Sequence, residues 1–116
     1  DIFFDSESNR PWGSFSNLGE GKGYKVKKLL ILPGQKISLQ KHFKRSEHWV
    51  VIEGTAHIIK GKSQFKLNVN QSTFIKRGEV HRIENKSKKN LIIIEVQTGN
   101  YLEEDDIKRF KDIYNR

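Results

Sequence analysis

Short β-type runs at close spacing constrain the fold of this chain more than any other feature. Turn residues such as Gly54 and Gly61-Lys62 separate them, and no amphipathic helix interrupts the series, which disfavours a parallel α/β sheet. Many short strands at regular spacing indicate an antiparallel barrel or a double-sheet jelly roll. The sequence therefore predicts an all-β fold with eight strands at Tyr24–Leu32, Lys36–His42, Glu47–Glu53, Thr55–Lys60, Ser63–Leu67, Ser72–Ile75, His81–Glu84 and Leu91–Gln97.

The two ends of the chain differ from this central series. Residues 1–23 contain turn-forming residues and four glycines, so we predict an irregular N-terminal segment with Trp12 packed on the core. Residues 103–115 place Ile107, Phe110 and Tyr114 on one helical face, with acidic residues at the start. This pattern predicts a short C-terminal α-helix that docks on the barrel.

Composition narrows the class of protein. A chain of 116 residues fits a single domain spanning 1–116, large enough to bury a core without cross-links. The absence of cysteine excludes disulfides, thiolate metal sites and cysteine nucleophiles, and it fits a reducing compartment, so we expect a cytoplasmic protein. No apolar run approaches the roughly 18 residues of a membrane span, and we expect no membrane partner.

The net charge of +8 permits an anionic partner. The lysines are spread through the chain rather than gathered on one helix or stripe, and no nucleic-acid recognition motif is present, so we expect no nucleic-acid partner. Phosphorylated small molecules remain the anionic class that fits. Because the sequence begins at Asp1 rather than Met, we expect a processed chain or a part of a longer one.

The stretch from Gln40 to Trp49 carries most of the reactive side chains. On a strand, Gln40 and His42 point to the same face because side chains alternate with a period of two. A short turn can bring Glu47 back beside them on a neighbouring strand. The resulting nitrogen and oxygen donors suit a divalent metal, and the Arg45 guanidinium between them suits an anion.

The same residues carry a resemblance to a known family. Gly34, Gln40, His42, Glu47 and Gly54 follow the spacing of the first cupin motif, and a second motif runs from Asn70, where glycine is usual, through His81 to Asn85. Longer blocks resemble the type II phosphomannose isomerase domain, the C-terminal part of bifunctional mannose-1-phosphate guanylyltransferase/mannose-6-phosphate isomerases. These blocks include Arg10–Gly13, Leu39–His42, Arg45–Trp49, Asn70–Thr73, His81–Asn85 and Tyr101–Ile107.

The resemblance implies a cupin double-stranded β-helix and a metal-dependent aldose–ketose isomerase. Such an enzyme interconverts mannose 6-phosphate and fructose 6-phosphate through a cis-enediolate, in the supply of GDP-mannose for polysaccharides. The implied metal ligands are Gln40, His42, Glu47 and His81. This donor set favours zinc, with manganese, iron, cobalt or nickel as alternatives. No Gly-rich phosphate loop opens a helix, so guanylyl transfer would belong to a portion that this chain lacks.

Further residues are candidates for binding and proton transfer. Arg45 is the first candidate for the substrate phosphate and for a catalytic role, with Arg82 and Lys44 as further phosphate ligands. His48 is the candidate proton-transfer group because the solution pKa of imidazole lies near neutrality, and Glu84 is a weaker alternative. Alternation on a strand, however, would point His48 away from the face of Glu47.

Two other functions remain open. The chain could be a non-catalytic cupin module that binds a sugar phosphate or a nucleotide sugar. It could also be another metal-dependent cupin enzyme, such as an oxygenase or a nucleotide-sugar ketoisomerase. Cupins often pair through strand edges and N-terminal segments, so we also expect a homodimer that involves residues 1–23.

Overall fold

Eleven strands form two antiparallel sheets that face each other. A computed structural model of the chain describes residues 8–111. The strands are β1 Ser8–Arg10, β2 Gly13–Gly21, β3 Tyr24–Ile31, β4 Leu39–Lys41, β5 Arg45–Glu53, β6 Ala56–Lys60, β7 Ser63–Leu67, β8 Ser72–Ile75, β9 His81–Glu84, β10 Leu91–Gly99 and β11 Lys108–Lys111. One sheet has the order β1-β2-β3-β10-β5-β8 and the other β11-β4-β9-β6-β7. The predicted all-β double-stranded β-helix is confirmed.

Inward-facing side chains change character along the strands. On β10, Leu91 and Ile93 are buried at one end, and Glu95 and Gln97 are buried on the same face toward the other. The neighbouring strands follow this order in register, since Ile93 lies opposite Val51 while Gln97 lies opposite Glu47. The barrel therefore has an apolar end and a polar end. The apolar end is lined by Leu29, Ile31, Val51, Ile58, Ile75, Ile83, Leu91 and Ile93, and the polar end by Lys27, His42, Arg45, Glu47, His81, Glu95 and Gln97.

The N-terminal prediction is wrong for the residues that the structure describes. Instead of an irregular segment, β1 and β2 form an antiparallel pair, and β2 continues the sheet beside β3. Phe15 on β2 packs against the core although three glycines lie within this strand, and the pairing of β2 with β3 shifts its register between Asn17 and Gly19. Trp12 packs in the core as predicted, with 6% of its surface exposed.

The C-terminal prediction is also wrong within the described residues. The segment 103–111 contains no helix, and Lys108–Lys111 form strand β11 against β4. The helical spacing of Ile107 and Phe110 is overridden because pairing with the edge of β4 satisfies the backbone polar groups of both strands. Tyr114 lies outside the described residues. Between residues 8 and 111 there is no helix long and apolar enough to cross a membrane.

One departure from the second cupin motif has a backbone explanation. Asn70 stands where that motif usually has glycine, and its φ angle is +73° in the turn before β8. Asparagine tolerates this left-handed conformation better than most residues with a side chain. The substitution therefore keeps the turn.

Candidate metal centre

Three buried side chains meet at the polar end of the barrel. Glu47 lies on β5, His81 begins β9, and His42 directly follows β4. One ligand atom from each residue lies within 4.8 Å of the others, and all three residues are buried. The two sheets bring together residues that are up to 39 positions apart in the sequence. This is the cluster that the motif spacing predicted.

Backbone carbonyls orient both imidazole rings toward the cluster. His42 Nδ1 lies 2.6 Å from the carbonyl oxygen of Asp106, and His81 Nδ1 lies 2.8 Å from that of Glu79. Each Nδ1 therefore donates its proton to a carbonyl, and each Nε2 faces the carboxylate of Glu47. These Nε2 atoms lie 3.2 Å from Oε2 for His42 and 3.9 Å from Oε1 for His81. Such an arrangement fixes the tautomer that a metal ligand requires.

The protonation states also fit a metal. Burial, with a further contribution from the charge of Arg45, lowers the pKa of His42 to about 4. Burial likewise lowers the pKa of His81. Both rings are therefore neutral at pH 7, as an imidazole ligand must be. Two neutral imidazoles and one carboxylate around a common point suit a divalent transition metal.

Gln40 is placed to extend this donor set. It lies on β4 directly opposite His81 on β9, so both side chains project from the same face of the sheet. Its amide nitrogen donates to the carbonyl oxygen and the hydroxyl of Ser38, at 3.2 and 3.1 Å. These bonds engage the nitrogen, which leaves the amide oxygen as the ligand atom. Gln40 lines the same pocket as the two histidines and Glu47.

Arg45 lies inside the pocket and contacts the cluster. Its Nε donates to Glu47 Oε2 at 2.9 Å, and its Nη2 donates to His42 Nε2 at 3.2 Å. Burial by itself would lower the pKa of Arg45, but the carboxylates of Glu47 and Glu95 raise it above its ordinary value, so the guanidinium stays charged. Nη1 is buried and has no hydrogen-bond partner among the described residues. A donor in this position is available to an oxygen of a bound ligand.

The close pairing of β10 with the start of β5 depends on one glycine. Gly99 lies opposite Arg45 in the register of β10 and β5, with a φ angle of +152°. A Cβ atom at this position would lie 2.5 Å from the carbonyl oxygen of Lys44. Glycine therefore permits the close approach that starts β5.

Two residues of β10 belong to the pocket although the sequence analysis did not select them. Glu95 accepts hydrogen bonds from Trp49 Nε1 at 3.1 Å and from Gln97 Nε2 at 2.8 Å. Burial, with the charge of Glu47 added, raises the pKa of Glu95 to about 7. The alternation of β10 could have identified both residues. Leu91 and Ile93 lie on its inward face, and the same face continues with Glu95 and Gln97, which predicts a polar cavity at that end of the strand.

Asp106 is a third residue that sequence reasoning missed. Its carboxylate accepts the backbone N–H groups of Phe43 and Lys44, both at 2.9 Å, and its carbonyl oxygen holds the ring of His42. Burial acts to raise the pKa of Asp106, but these two N–H groups and nearby positive charge lower it below its ordinary value. Asp106 therefore ties the C-terminal segment to the loop that presents His42.

The remaining candidates do not reach the pocket. His48 is exposed on the outer face of β5, where its ring lies 4.5 Å from that of Phe74 between centroids. Arg82 donates to the carbonyl oxygen of Ile37 and lines a separate cleft together with Glu84. Lys44 is exposed with its ammonium 4.5 Å from the centre of the Tyr101 ring. In each case strand alternation or the following turn directs the side chain away from the metal cluster.

Comparison with known proteins agrees with this architecture. A family model described as mannose-6-phosphate isomerase, C-terminal, matches residues 3–112. The alginate biosynthesis protein AlgA of Pseudomonas syringae pv. tomato is 49% identical over 110 residues, which cover 95% of this chain and 23% of that protein. Mannose-1-phosphate guanylyltransferase ManC of Salmonella typhimurium is 44% identical over 110 residues, again 95% of this chain and 23% of the relative.

Solved structures share the fold at low sequence identity. A Klebsiella pneumoniae protein described as having a double-stranded β-helix domain has a TM-score of 0.77 and 21% identity, and the match covers 96% of this chain and 94% of that one. A cupin-2 domain protein from Rhodospirillum rubrum has a TM-score of 0.73 and 15% identity, with 94% and 68% covered.

The double-stranded β-helix with a His–Glu–His cluster at its polar end defines a cupin. The match over residues 3–112 is more specific, and the chain belongs to the mannose-6-phosphate isomerase C-terminal family. It spans less than a quarter of the length of the curated relatives that it matches.

Proposed function

We propose that this cupin is a metal-dependent isomerase that interconverts mannose 6-phosphate and fructose 6-phosphate. The observation that carries the proposal is the buried cluster of His42, Glu47 and His81, with both Nε2 atoms near the Glu47 carboxylate and the charged Arg45 beside it. The family supports the choice of substrate. Gln40 is the fourth proposed ligand, and zinc is the first choice of metal because its usual donors are imidazole and carboxylate.

The reaction requires a proton to move between two carbon atoms. A proton leaves C2 of the open-chain aldose, its electron pair forms the C1–C2 double bond, and the electrons of the C1 carbonyl move to O1, which gives a cis-enediolate. The hydroxyl proton of O2 passes to O1, and a proton returned to C1 as the C2 carbonyl forms gives the ketose. A bound divalent metal would polarise the sugar oxygens and stabilise the negative charge that develops on them. Arg45 would donate from Nη1 to the same oxygens, so that it acts as a catalytic residue beside the metal.

The proton-transfer group must lie in the pocket, which argues against the role predicted for His48. Of the pocket carboxylates outside the cluster, Glu104 is paired with the ammonium of Lys27. Glu95 is held from two sides by Trp49 and Gln97, so its carboxylate has a fixed orientation. We assign proton transfer to Glu95 on this geometry.

A coupled assay tests the function directly. The protein is treated with a chelator, reconstituted separately with zinc, manganese or cobalt, and assayed for conversion of mannose 6-phosphate to fructose 6-phosphate. We expect turnover that the chelator abolishes and at least one metal restores. Absence of turnover with every metal would reject the isomerase and leave the second candidate, a module that binds a sugar phosphate without catalysis.

The homodimer and the cytoplasmic location stay predictions. For the dimer, β1 offers an edge strand at the end of the six-stranded sheet, and an edge of this kind can pair with another chain. Light scattering gives the mass in solution, and a monomeric mass would contradict the dimer.

A further inference from the structure

The six-stranded sheet is apolar on both of its faces. Its inner face packs in the core, where Leu29, Ile93 and Val51 form one row across β3, β10 and β5. Side chains alternate along a strand, so the residues between these point away from the core. We call this second surface the outer face. Its half-buried or exposed apolar residues are Val26, Leu30, Val50, Ile52, Phe74, Ile92, Ile94 and Val96.

Strand pairing makes the outer face continuous. Val96 of β10 lies opposite Val26 of β3 on one side and opposite His48 of β5 on the other. His48 in turn lies opposite Phe74 of β8, and the two rings are in contact. The next row along β10 centres on Ile94. Residues that are paired in this way share one face of a sheet, so the outer face extends across four strands.

The five-stranded sheet has the opposite character. Its outward positions on β6, β7 and β9 are mainly polar or charged: His57, Ile59, Gln64, Lys66, Arg82 and Glu84. This alternation is typical of a sheet with one face on the core and one in water. Residues 91–94 of β10 are all aliphatic, as in strands that are covered on both faces. The pattern therefore indicates that another surface covers the outer face of the six-stranded sheet.

The dimensions of the outer face suit a second copy of the chain. Strands β3, β10 and β5 have eight or nine residues each, and β8 has four. With about 3.3 Å per residue and about 4.8 Å between strands, the face measures roughly 500 Å² in projection. Two such faces bury roughly 1,000 Å², which is the area that a specific interface needs. A twisted sheet also packs closely on another sheet of the same twist.

The charges on the outer face also favour self-association. The chain carries a net charge of +8, so two copies repel each other unless they meet through a surface of low net charge. The outer face includes a cation, Lys28, opposite Ile94 on β3, and an anion, Glu53, opposite Ile92 on β5. These two charges flank β10 on opposite sides. A second copy turned over about an axis along β10 therefore brings Lys28 of each copy toward Glu53 of the other.

We propose that two copies of this chain associate through the outer face, with their six-stranded sheets packed face to face. This surface differs from the free edge of β1, so the association needs no backbone pairing between chains. The metal cluster lies on the inner faces of the sheets, and this mode of association leaves it uncovered. The inference does not depend on the isomerase activity.

Exposed phenylalanines on the two sheets give a matched pair of variants. Phe74 on the outer face is 41% exposed, and Phe110 on β11 of the other sheet is 43% exposed. Sedimentation equilibrium gives the dimer dissociation constant of the wild-type protein, of Phe74→Glu, of Phe110→Glu and of Ile52→Glu on the outer face. We expect Phe74→Glu and Ile52→Glu to raise this constant about tenfold or more, because each places a charge in an apolar interface. Phe110→Glu should stay within about twofold of wild type.

Two further measurements report on the face itself. The chain has no cysteine, so Val50→Cys places a single thiol on the outer face, and its reaction with a maleimide should slow as protein concentration rises. Lys28→Glu and Glu53→Lys should each weaken the dimer, and the double variant should restore it. A double variant as weak as the single ones would overturn the arrangement about β10.

The outcomes separate the outer face from other modes of association. A wild-type protein that is monomeric at every concentration overturns the proposal and leaves the face to a different partner. A dimer that neither Phe74→Glu nor Ile52→Glu weakens also overturns it and favours pairing through the edge of β1. Urea unfolding checks that each variant folds, and since the changed side chains are exposed we expect midpoints close to wild type.

Discussion

The two ends of the barrel use the same strands for different purposes. At the apolar end, β10 and its neighbours bury aliphatic side chains, and this burial stabilises the fold. At the polar end, two to four residues further along these strands, the inward-facing side chains are charged or carry amides, and they are buried as well. Burying such groups costs free energy unless they are paired, and two of their buried atoms, Arg45 Nη1 and Gln97 Oε1, have no hydrogen-bond partner among the described residues. The polar end is therefore organised for a ligand rather than for stability.

The strongest test of this division removes a proposed metal ligand. His81→Ala should reduce affinity for cobalt or zinc by roughly 100-fold or more, because even residues that only orient ligands contribute 10–100-fold. Stoichiometry after dialysis and the visible absorption of the cobalt form measure the loss. His57→Ala is the matched control, since His57 lines a separate cleft of the barrel. Equal metal binding by both variants would contradict the assignment of the cluster.

The complementary test removes an aliphatic side chain from the apolar end. Ile93 is fully buried on β10 between Leu29 and Val51. Ile93→Ala should lower the free energy of unfolding by about 2–5 kcal/mol through lost burial and a residual cavity. Urea unfolding measures this change, and metal stoichiometry without denaturant should remain that of wild type. Loss of the metal from a folded Ile93→Ala protein would show that the two ends are coupled.

This division explains which parts of the fold could be predicted. The strands from Tyr24 to Gln97 follow hydrophobic alternation, which is a local signal, and they are largely where the sequence places them. Strand β2 and strand β11 were missed because each is specified by pairing with a neighbour rather than by its own pattern. The helical spacing at the C-terminus is real, but tertiary pairing outweighs a weak local preference.

The residues of the site also fall into two groups, those that local sequence predicts and those that depend on tertiary structure. Motif spacing predicted His42, Glu47 and His81, since the chemistry of a metal ligand restricts residue type and position. Arg82 and Lys44 adjoin site residues in the sequence, but alternation on β9 turns Arg82 away from His81, and Lys44 lies in the loop before β5. Glu95 and Asp106 become visible only when distant strands close around the pocket.

The buried carboxyl group of Glu95 at the polar end should make the free energy of unfolding depend on pH. The pKa of Glu95 is raised from 4.5 to about 7, so between these values the folded state binds the proton more tightly than the unfolded state. For the metal-free protein this contribution is fully present below pH 4.5 and is lost as pH rises through 7, by up to about 3 kcal/mol.

Glu95→Gln removes this titration. Urea unfolding with chelator at pH 5 and pH 8 should show that the variant becomes more stable relative to wild type at the higher pH. A stability difference between variant and wild type that does not change with pH would show that Glu95 keeps an ordinary pKa in the folded protein.

The smallest expected effect lies at the loop that joins the polar end to the C-terminal segment. Asp106→Ala removes the carboxylate that accepts the N–H groups of Phe43 and Lys44, and should lower the free energy of unfolding by about 1–2 kcal/mol. The carbonyl of Asp106 still faces His42, so we expect weaker metal affinity, up to about tenfold, rather than loss of the site. Asp105→Ala, one residue earlier and exposed, is the control. Wild-type unfolding and metal affinity in Asp106→Ala would show that the strand pairing of β11 alone holds His42 in place.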